Sequence, residues 1–268
     1  MLLLFLLSAA ACCLVPAKGE VGPDFTNCLE FFLDKMPPQV SLAPPNAARI
    51  CQFYKNAYRF ATLYDREKRI PIYSAYKCKQ GKGQRYEGWM IEPQLVDPNL
   101  GKSMADEWDT NMAAAEIEKN QAVLEDYRHA LNIGKGHLNP VCHQPDEDSR
   151  AATFTLTNVV PQFSKLNQEA WANYENRIKK EAHVCKDLYV ITGVVPGDEY
   201  ISDGRVNKPS HIWSAACCVH EKGRRTSWAA IAKNDENHVK EESLEKLKKE
   251  LAELYGMGKV DLFNNACK

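Results

Sequence analysis

The chain has 268 residues, with 34 basic and 35 acidic side chains, a formal net charge of −1 and 44% hydrophobic residues. This is ordinary globular composition, which excludes a disordered or fibrous protein, and the length suffices for a full hydrophobic core. A charge so close to zero gives no bulk attraction for nucleic acid, so any phosphate-binding surface has to come from local clusters of Lys and Arg.

Met1 to Val15 is almost wholly apolar and is followed by Pro16-Ala17-Lys18-Gly19. The run is short for a membrane span and ends in small residues. It reads as an export signal over residues 1–19, cut after Ala17 or Gly19. No later apolar stretch is long enough to cross a bilayer, so residues 20–268 are expected to form a soluble, single domain. Of the ten cysteines, Cys12 and Cys13 fall within the signal, leaving Cys28, Cys51, Cys78, Cys142, Cys185, Cys217, Cys218 and Cys267. An even number after an export signal reads as a disulfide framework, with 105 possible complete pairings. A bridge between Cys28 and Cys267, tying the two ends together, is one hypothesis. Zinc is disfavoured, because there is no CxxC pair and the adjacent Cys217-Cys218 suit a single tetrahedral ion poorly.

Asp24 to Met36 carries Phe25, Leu29, Phe32 and Leu33 at helical spacing, stopped by Pro37-Pro38. An apolar stretch runs from Ile50 to Tyr58, and Ile70 to Tyr76 has the β-branched and aromatic content of a strand. Lys77, Lys79, Lys82 and Arg85 lie in a glycine-containing loop without an acid, which fits a solvated loop as well as a phosphate contact. A helix is expected around Met112 to Tyr127, a tight turn at Gly134-Lys135-Gly136-His137, and a strand running into a loop over Ala151 to Val160. Leu166, Ala170, Tyr174, Ile178 and Ala182 recur every four residues, predicting a helix. Buried strands are expected over Leu188 to Val195, Ile212 to Val219 and Trp228 to Ala232. Ser243 to Tyr255 reads as an amphipathic helix ended by Gly256.

Two neighbouring segments carry the chemistry: Lys135-Gly136-His137-Leu138-Asn139-Pro140, and Thr155 to Gln162 continued through Leu166-Asn167-Gln168-Glu169-Ala170-Trp171 to Glu175. A His beside a Gly turn can be held at fixed orientation. An Asn near a helix start with an acid two turns later can offer oxygens to a hard cation that keeps most of its waters. His then removes a proton from water while the ion stabilises developing charge. A lone His is more often structural, and Asn167 could simply cap its helix. Trp171 reads as core, and His143, His183, His211, His220 and His238 show no spacing that argues for a site.

These segments, with Tyr64-Asp65-Arg66 through Tyr76 and the Ser243 to Cys267 region, closely resemble the DNA/RNA non-specific endonuclease family, whose members have a ββα-metal (His-Me finger) site. The likeness is nearest to its secreted, vertebrate-type branch of endonuclease domain-containing proteins. The Asn-x-x-Pro-Gln-x-x-x-x-Asn-Gln-x-x-Trp spacing from Asn158 to Trp171 is specific. The resemblance implies an α+β fold, with a central, mainly antiparallel sheet flanked by helices and the ββα-metal unit between Gly134 and Lys180. It implies His137 as general base, Asn167 as the direct protein ligand to Mg²⁺ (with Mn²⁺ able to substitute), Glu175 acting on the ion through water, and Asn158 as a supporting residue. Lys135 stands where the family has Arg before Gly-His, and Lys179 or Arg177 takes the place of a further family Arg; all three are candidate substrate contacts. The implied activity is metal-dependent hydrolysis of phosphodiester bonds in DNA and RNA by a secreted enzyme. Lys135 keeps a positive charge but not the two-pronged guanidinium. The alternative is therefore a catalytically impaired member that binds nucleic acid or protein outside the cell.

Overall fold

The computed structural model describes residues 21–38 and 42–267; the export signal read over residues 1–19 lies outside them. In chain order the strands are Val21–Gly22 (β1), Ala47–Tyr54 (β2), Ala57–Asp65 (β3), Ile70–Lys77 (β4), Met90–Ile91 (β5), Ala105–Asp106 (β6), Ile133–His137 (β7) and Val159–Phe163 (β8). They continue with Asp187–Val195 (β9), Glu199–Ile201 (β10), Val206–Lys208 (β11), His211–Val219 (β12), Arg225–Lys233 (β13) and Lys240–Glu242 (β14). Eight of them form one sheet in the order β1-β2-β3-β4-β9-β12-β13-β14, antiparallel throughout. The expected α+β class with a mainly antiparallel sheet is what is found.

Both faces of the sheet are covered, so its central strands are apolar on both sides. Alternation along β12 sends Trp213, Ala215 and Cys217 to one core and Ile212, Ala216 and Cys218 to the other, as the two-residue repeat of a strand requires. The first core is closed by the helix Leu244–Leu254, whose Leu244, Leu247 and Leu251 are buried and whose first turn is capped by the Ser243 hydroxyl. The second is closed by the segment between β4 and β9, which supplies Leu156, Leu166, Trp171 and Ile178. Among the described residues no helix is long and apolar enough to cross a membrane.

That intervening segment contains the helices Ala114–Ile117 (α1), Glu147–Ala152 (α2), Ser164–Gln168 (α3) and Ala170–Glu181 (α4); Leu244–Leu254 is α5. Its centre is the antiparallel pair β7–β8 followed by α3 and α4, the expected ββα arrangement. The expected turn at residues 134–137 is thus a strand. Residues 151–160 form the end of α2, a 3-10 turn at Leu156–Asn158 and the start of β8. The helix expected from Leu166 to Ala182 is interrupted at Glu169 (φ −117°, ψ −86°).

The helix expected over residues 112–127 is reduced to α1 and a 3-10 turn, Leu124–Tyr127. Three successive backbone N–H groups there are taken by side chains instead of a helical ladder: Ala122 donates to the Tyr64 hydroxyl, Val123 to Asp126 and Leu124 to Glu107. Residues 24–36 form two 3-10 turns, Thr26–Phe31 and Leu33–Lys35, because Phe32 is extended (φ −106°, ψ 141°) and drives its ring into the core.

The disulfides are Cys28–Cys51, Cys185–Cys218 and Cys217–Cys267, and Cys78 and Cys142 are thiols. This corrects the Cys28–Cys267 hypothesis. The Thr26–Phe31 turn puts Cys28 against β2, while Cys267 reaches the face of β12 from which Cys217 projects. The adjacent Cys217 and Cys218 bond in opposite directions, one into each layer.

The Cys217–Cys267 bridge closes a sequence separation of 50 residues. Replacing both cysteines by Ala is expected to lower the unfolding free energy by roughly 2–4 kcal/mol, read as a lower urea midpoint. An unchanged midpoint would show that the bridge merely follows the fold.

Candidate active site

Strand β7 ends in His137, and its pairing with β8 sets where that ring points: Gly136 lies opposite Val160 and His137 opposite Val159. The pairing needs glycine at 136. A Cβ there would fall 2.0 Å from Gln162 Oε1 and 2.7 Å from Gln162 Cβ, and the latter is too near the backbone to swing aside. Immediately beyond His137 the chain is fixed by Asn158, whose side chain is fully buried. Asn158 Oδ1 accepts from the Asn139 backbone N–H at 3.0 Å and from Ser74 Oγ at 2.9 Å. Its Nδ2 donates to the carbonyls of Asn139 and Thr153, at 3.0 and 2.9 Å. Ser74 belongs to β4, and a buried chain continues through Thr62, Gln52 and Thr157 to Glu92.

His137 is half-buried in an aromatic nest, its ring centroid 5.1 Å from Phe154 and 5.5 Å from Trp89. Its Nε2 is buried and has no hydrogen-bond partner among the described residues. Burial, helped by the charges of Arg85 and Lys135, pushes the imidazole down to about 3, so the ring is neutral at physiological pH. His137 opens onto a cleft of about 340 Å³, also lined by Arg85, Lys135, Cys142, Asn167 and Glu175. Lys135 Nζ lies 5.0 Å from the Trp89 ring centroid, and the Arg85 guanidinium 4.9 Å from that of Phe154. Among the described residues neither cation forms an ion pair with a carboxylate. Burial first, then Arg85, lowers the Lys135 ammonium from its ordinary value.

The opposite wall comes from α3 and α4. Asn167 is half-buried in α3, its amide so near Gly134 that a Cβ on Gly134 would be 3.2 Å from Asn167 Nδ2. Glu175 lies on α4, where burial pushes its carboxyl up to about 8 despite a bond from the Trp171 side chain. The buried imidazole of His143 anchors this part of the helix: Nε2 donates to the Glu175 carbonyl at 2.8 Å, and Nδ1 accepts from the Tyr76 hydroxyl at 3.1 Å.

The structure therefore brings Lys135, His137, Asn167 and Glu175 into one cleft and puts Asn158 directly behind it. Lys179, one turn after Glu175, lies beside the cleft wall, where its charge acts on Cys142 and His143. Arg177 projects to another side of α4 and is paired with Glu241, as a two-residue step around a helix dictates. The break at Glu169 means that Asn167 and Glu175 converge from two helices, not from successive turns of one. Arg85 and Trp89 are the additions. Nothing in the sequence distinguishes Arg85 from the other cations of the 77–85 loop, and the acid-free run is the only signal that points to it.

An ion held here would have one amide oxygen and one carboxylate as its protein donors. Among the described residues no three His, Cys, Asp or Glu side chains converge as a metal cage. That sparse oxygen donor set fits Mg²⁺, which keeps several waters and takes few protein ligands. It does not suit zinc.

A family model for DNA/RNA non-specific endonucleases matches residues 39–266. The human endonuclease domain-containing 1 protein is 33% identical over 217 residues, which are 79% of this chain and 42% of that protein. Its mouse counterpart is 34% identical over 203 residues, 73% of this chain and 39% of the relative. The chain thus spans less than half the length of these two relatives. Bovine mitochondrial endonuclease G is 35% identical over 106 residues, 39% of this chain and 35% of that protein. A chain of the crystallised EndoG/EndoGI complex shares the fold, with a TM-score of 0.53 and 16% identity over 79% of this chain and 85% of that one.

Asn158→Ala strands several buried polar groups at once and is expected to cost roughly 2–4 kcal/mol, measurable by urea unfolding; retained stability would show that the contacts are dispensable. Glu92 yields a second expectation. Its buried carboxylate accepts from the Thr155 and Thr157 hydroxyls, and burial raises it from 4.5 to about 8. Between those values the folded chain keeps a proton that the unfolded chain releases, so stability falls as pH rises through this window. Glu175 adds a fall of the same sign in metal-free protein. Glu92→Gln is expected to flatten the fall between pH 5 and 8 and to raise stability at pH 8. Unfolding free energies of both proteins at the two pH values check this, and an unchanged slope would refute it.

Proposed function

Since the chain belongs to the DNA/RNA non-specific endonuclease family, we propose that it is a metal-dependent endonuclease, hydrolysing phosphodiester bonds of DNA and RNA without sequence preference. The observation that carries this reading is the neutral Nε2 of His137, which among the described residues has no hydrogen-bond partner, in a cleft whose two cations have no carboxylate partners among those residues. A general base has to be unprotonated before it acts, and here burial keeps it so. The low proton affinity would make it a weak base in the free protein. An incoming phosphate raises that affinity, because its negative charge offsets Arg85 and Lys135.

Lys135 and Arg85 divide the work of holding phosphate oxygens. Lys135 supplies a point charge and Arg85 the planar fork that Lys135 lacks. Asn167 would hold Mg²⁺ or Mn²⁺ through its amide oxygen, and ionised Glu175 would orient water around the ion. The bound ion supplies Lewis-acid stabilisation of the charge that develops on phosphate and leaving oxygen. Asn158 and the Gly136 pairing keep the His137 ring in place, and Lys179 adds positive potential at the edge. Three disulfides and the apolar leader support a secreted enzyme. One observation favours the impaired alternative, namely Lys135 in place of the family's Arg; salt-dependent nucleic-acid binding without cleavage would distinguish it.

Purified protein is expected to degrade plasmid DNA and total RNA with Mg²⁺ and to stop on addition of EDTA. His137→Ala should lose about 10²–10⁴-fold in rate, and Lys135→Arg should exceed the wild type. Intact plasmid after prolonged incubation with Mg²⁺ or Mn²⁺, or full activity in His137→Ala, would overturn the assignment.

A further inference from the structure

Among the described residues the three disulfides leave Cys78 and Cys142 as thiols, one buried and the other half-buried in the cleft wall. They are far apart in sequence but lie on segments that run side by side. The Lys79 N–H donates to the His143 carbonyl at 2.9 Å. Gly81 packs so tightly on Pro145 that a Cβ would fall 1.8 Å from its carbonyl oxygen. Both contacts have the same offset along the two segments, so the segments are parallel and Cys78 comes abreast of Cys142. Cys142 sits in the 3-10 turn Val141–His143, one residue before the carbonyl that the Lys79 N–H bonds, and a disulfide spans Cα atoms about 4.4–6.8 Å apart. The side chains are also within electrostatic reach: burial first, and then a charge on Cys142, pushes the Cys78 thiol up, and Lys179 acts on both.

We propose that Cys78 and Cys142 close a fourth disulfide, which fastens the wall of the cleft to the end of β4. The oxidant is a low-molecular-weight disulfide of the exporting compartment. The more accessible Cys142 attacks as thiolate, bonding to one sulfur of the small disulfide and expelling the other as a thiol that takes up the proton. Cys78 then attacks the Cys142 sulfur and expels the second small thiol. Two protein thiols are oxidised, one small disulfide is reduced, and both protons end on the released thiols.

The cross-link has a location that matters. The loop between Cys78 and Cys142 contains Arg85, Trp89, Lys135 and His137, so one bond encloses the cationic and aromatic side of the cleft. It also ties down the turn Val141–His143, from which His143 holds the Glu175 carbonyl. The bond stands whether or not the cleft cleaves nucleic acid, so it can be tested separately from the nuclease assay.

The full chain is expressed through an oxidising secretory route, unfolded without reductant in N-ethylmaleimide, and analysed by intact mass and peptide mapping. The expected result is no alkylation of the eight cysteines from Cys28 onward and a peptide linking Cys78 to Cys142. The Cys78→Ser/Cys142→Ser protein is expected to melt roughly 5–10 °C lower. Two maleimide adducts at Cys78 and Cys142, a small-thiol adduct stopped on Cys142, or a bond from either to another cysteine would overturn the proposal. An unchanged melting temperature would overturn the claim that the bond fastens the wall. The peptide map uses wild-type protein, so it decides the pairing even if the double variant fails to fold.

Discussion

The geometry of the cleft depends on one buried amide. Asn158 uses its carbonyl oxygen and amide hydrogens to join three pieces of chain: β4 through Ser74, the residues after His137 through Asn139, and the nearby end of α2 through Thr153. Its own backbone carbonyl accepts from Leu138. An amide is suited to this place because it donates and accepts at once and carries no charge to be desolvated. Aspartate would lose both donors, and leucine would leave the surrounding N–H and C=O groups without partners in a dry interior. The position of the His137 ring is thus inherited from the main sheet through Asn158 and Ser74.

Around that fixed frame the charges are left incomplete. Among the described residues Arg85 and Lys135 have no carboxylate partner, His137 is kept neutral by burial and by those same cations, and burial holds Glu175 toward its protonated form. Each departure is one that a phosphate or a divalent cation would relieve: anionic oxygens offset the two bases, and a cation favours the ionised carboxylate. Under the proposed function, substrate and ion would together remove the electrostatic tension of the free protein, as expected of a preorganised site.

Strands β4, β9 and β12 and the helix α5 are legible in the sequence because each buries a continuous apolar face whose period is set locally. The ββα unit is legible by another route, the family resemblance that Gly136-His137, Asn158, Asn167 and Glu175 carry. What escapes is whatever depends on a distant partner. The residues around Ala122 to Leu124 look helical, but the N–H groups of Ala122 and Leu124 go to Tyr64 and Glu107, 58 and 17 residues away. Cysteine pairing follows from which strand faces which, and that information lies in the sheet order. Arg85 enters the cleft because its loop is laid against residues 143–150, and no pattern within residues 77–85 encodes that.

The neighbouring cysteines of β12 carry a consequence for endurance. Cys218 is joined to Cys185 and Cys217 to Cys267, one through each side of the sheet. A protease that cut the backbone anywhere between residues 185 and 218, or between 217 and 267, would leave both fragments covalently held and still seated in their cores. Damage of that kind would be invisible until the bridges were reduced, so a nicked molecule would keep its shape for as long as its surroundings stayed oxidising.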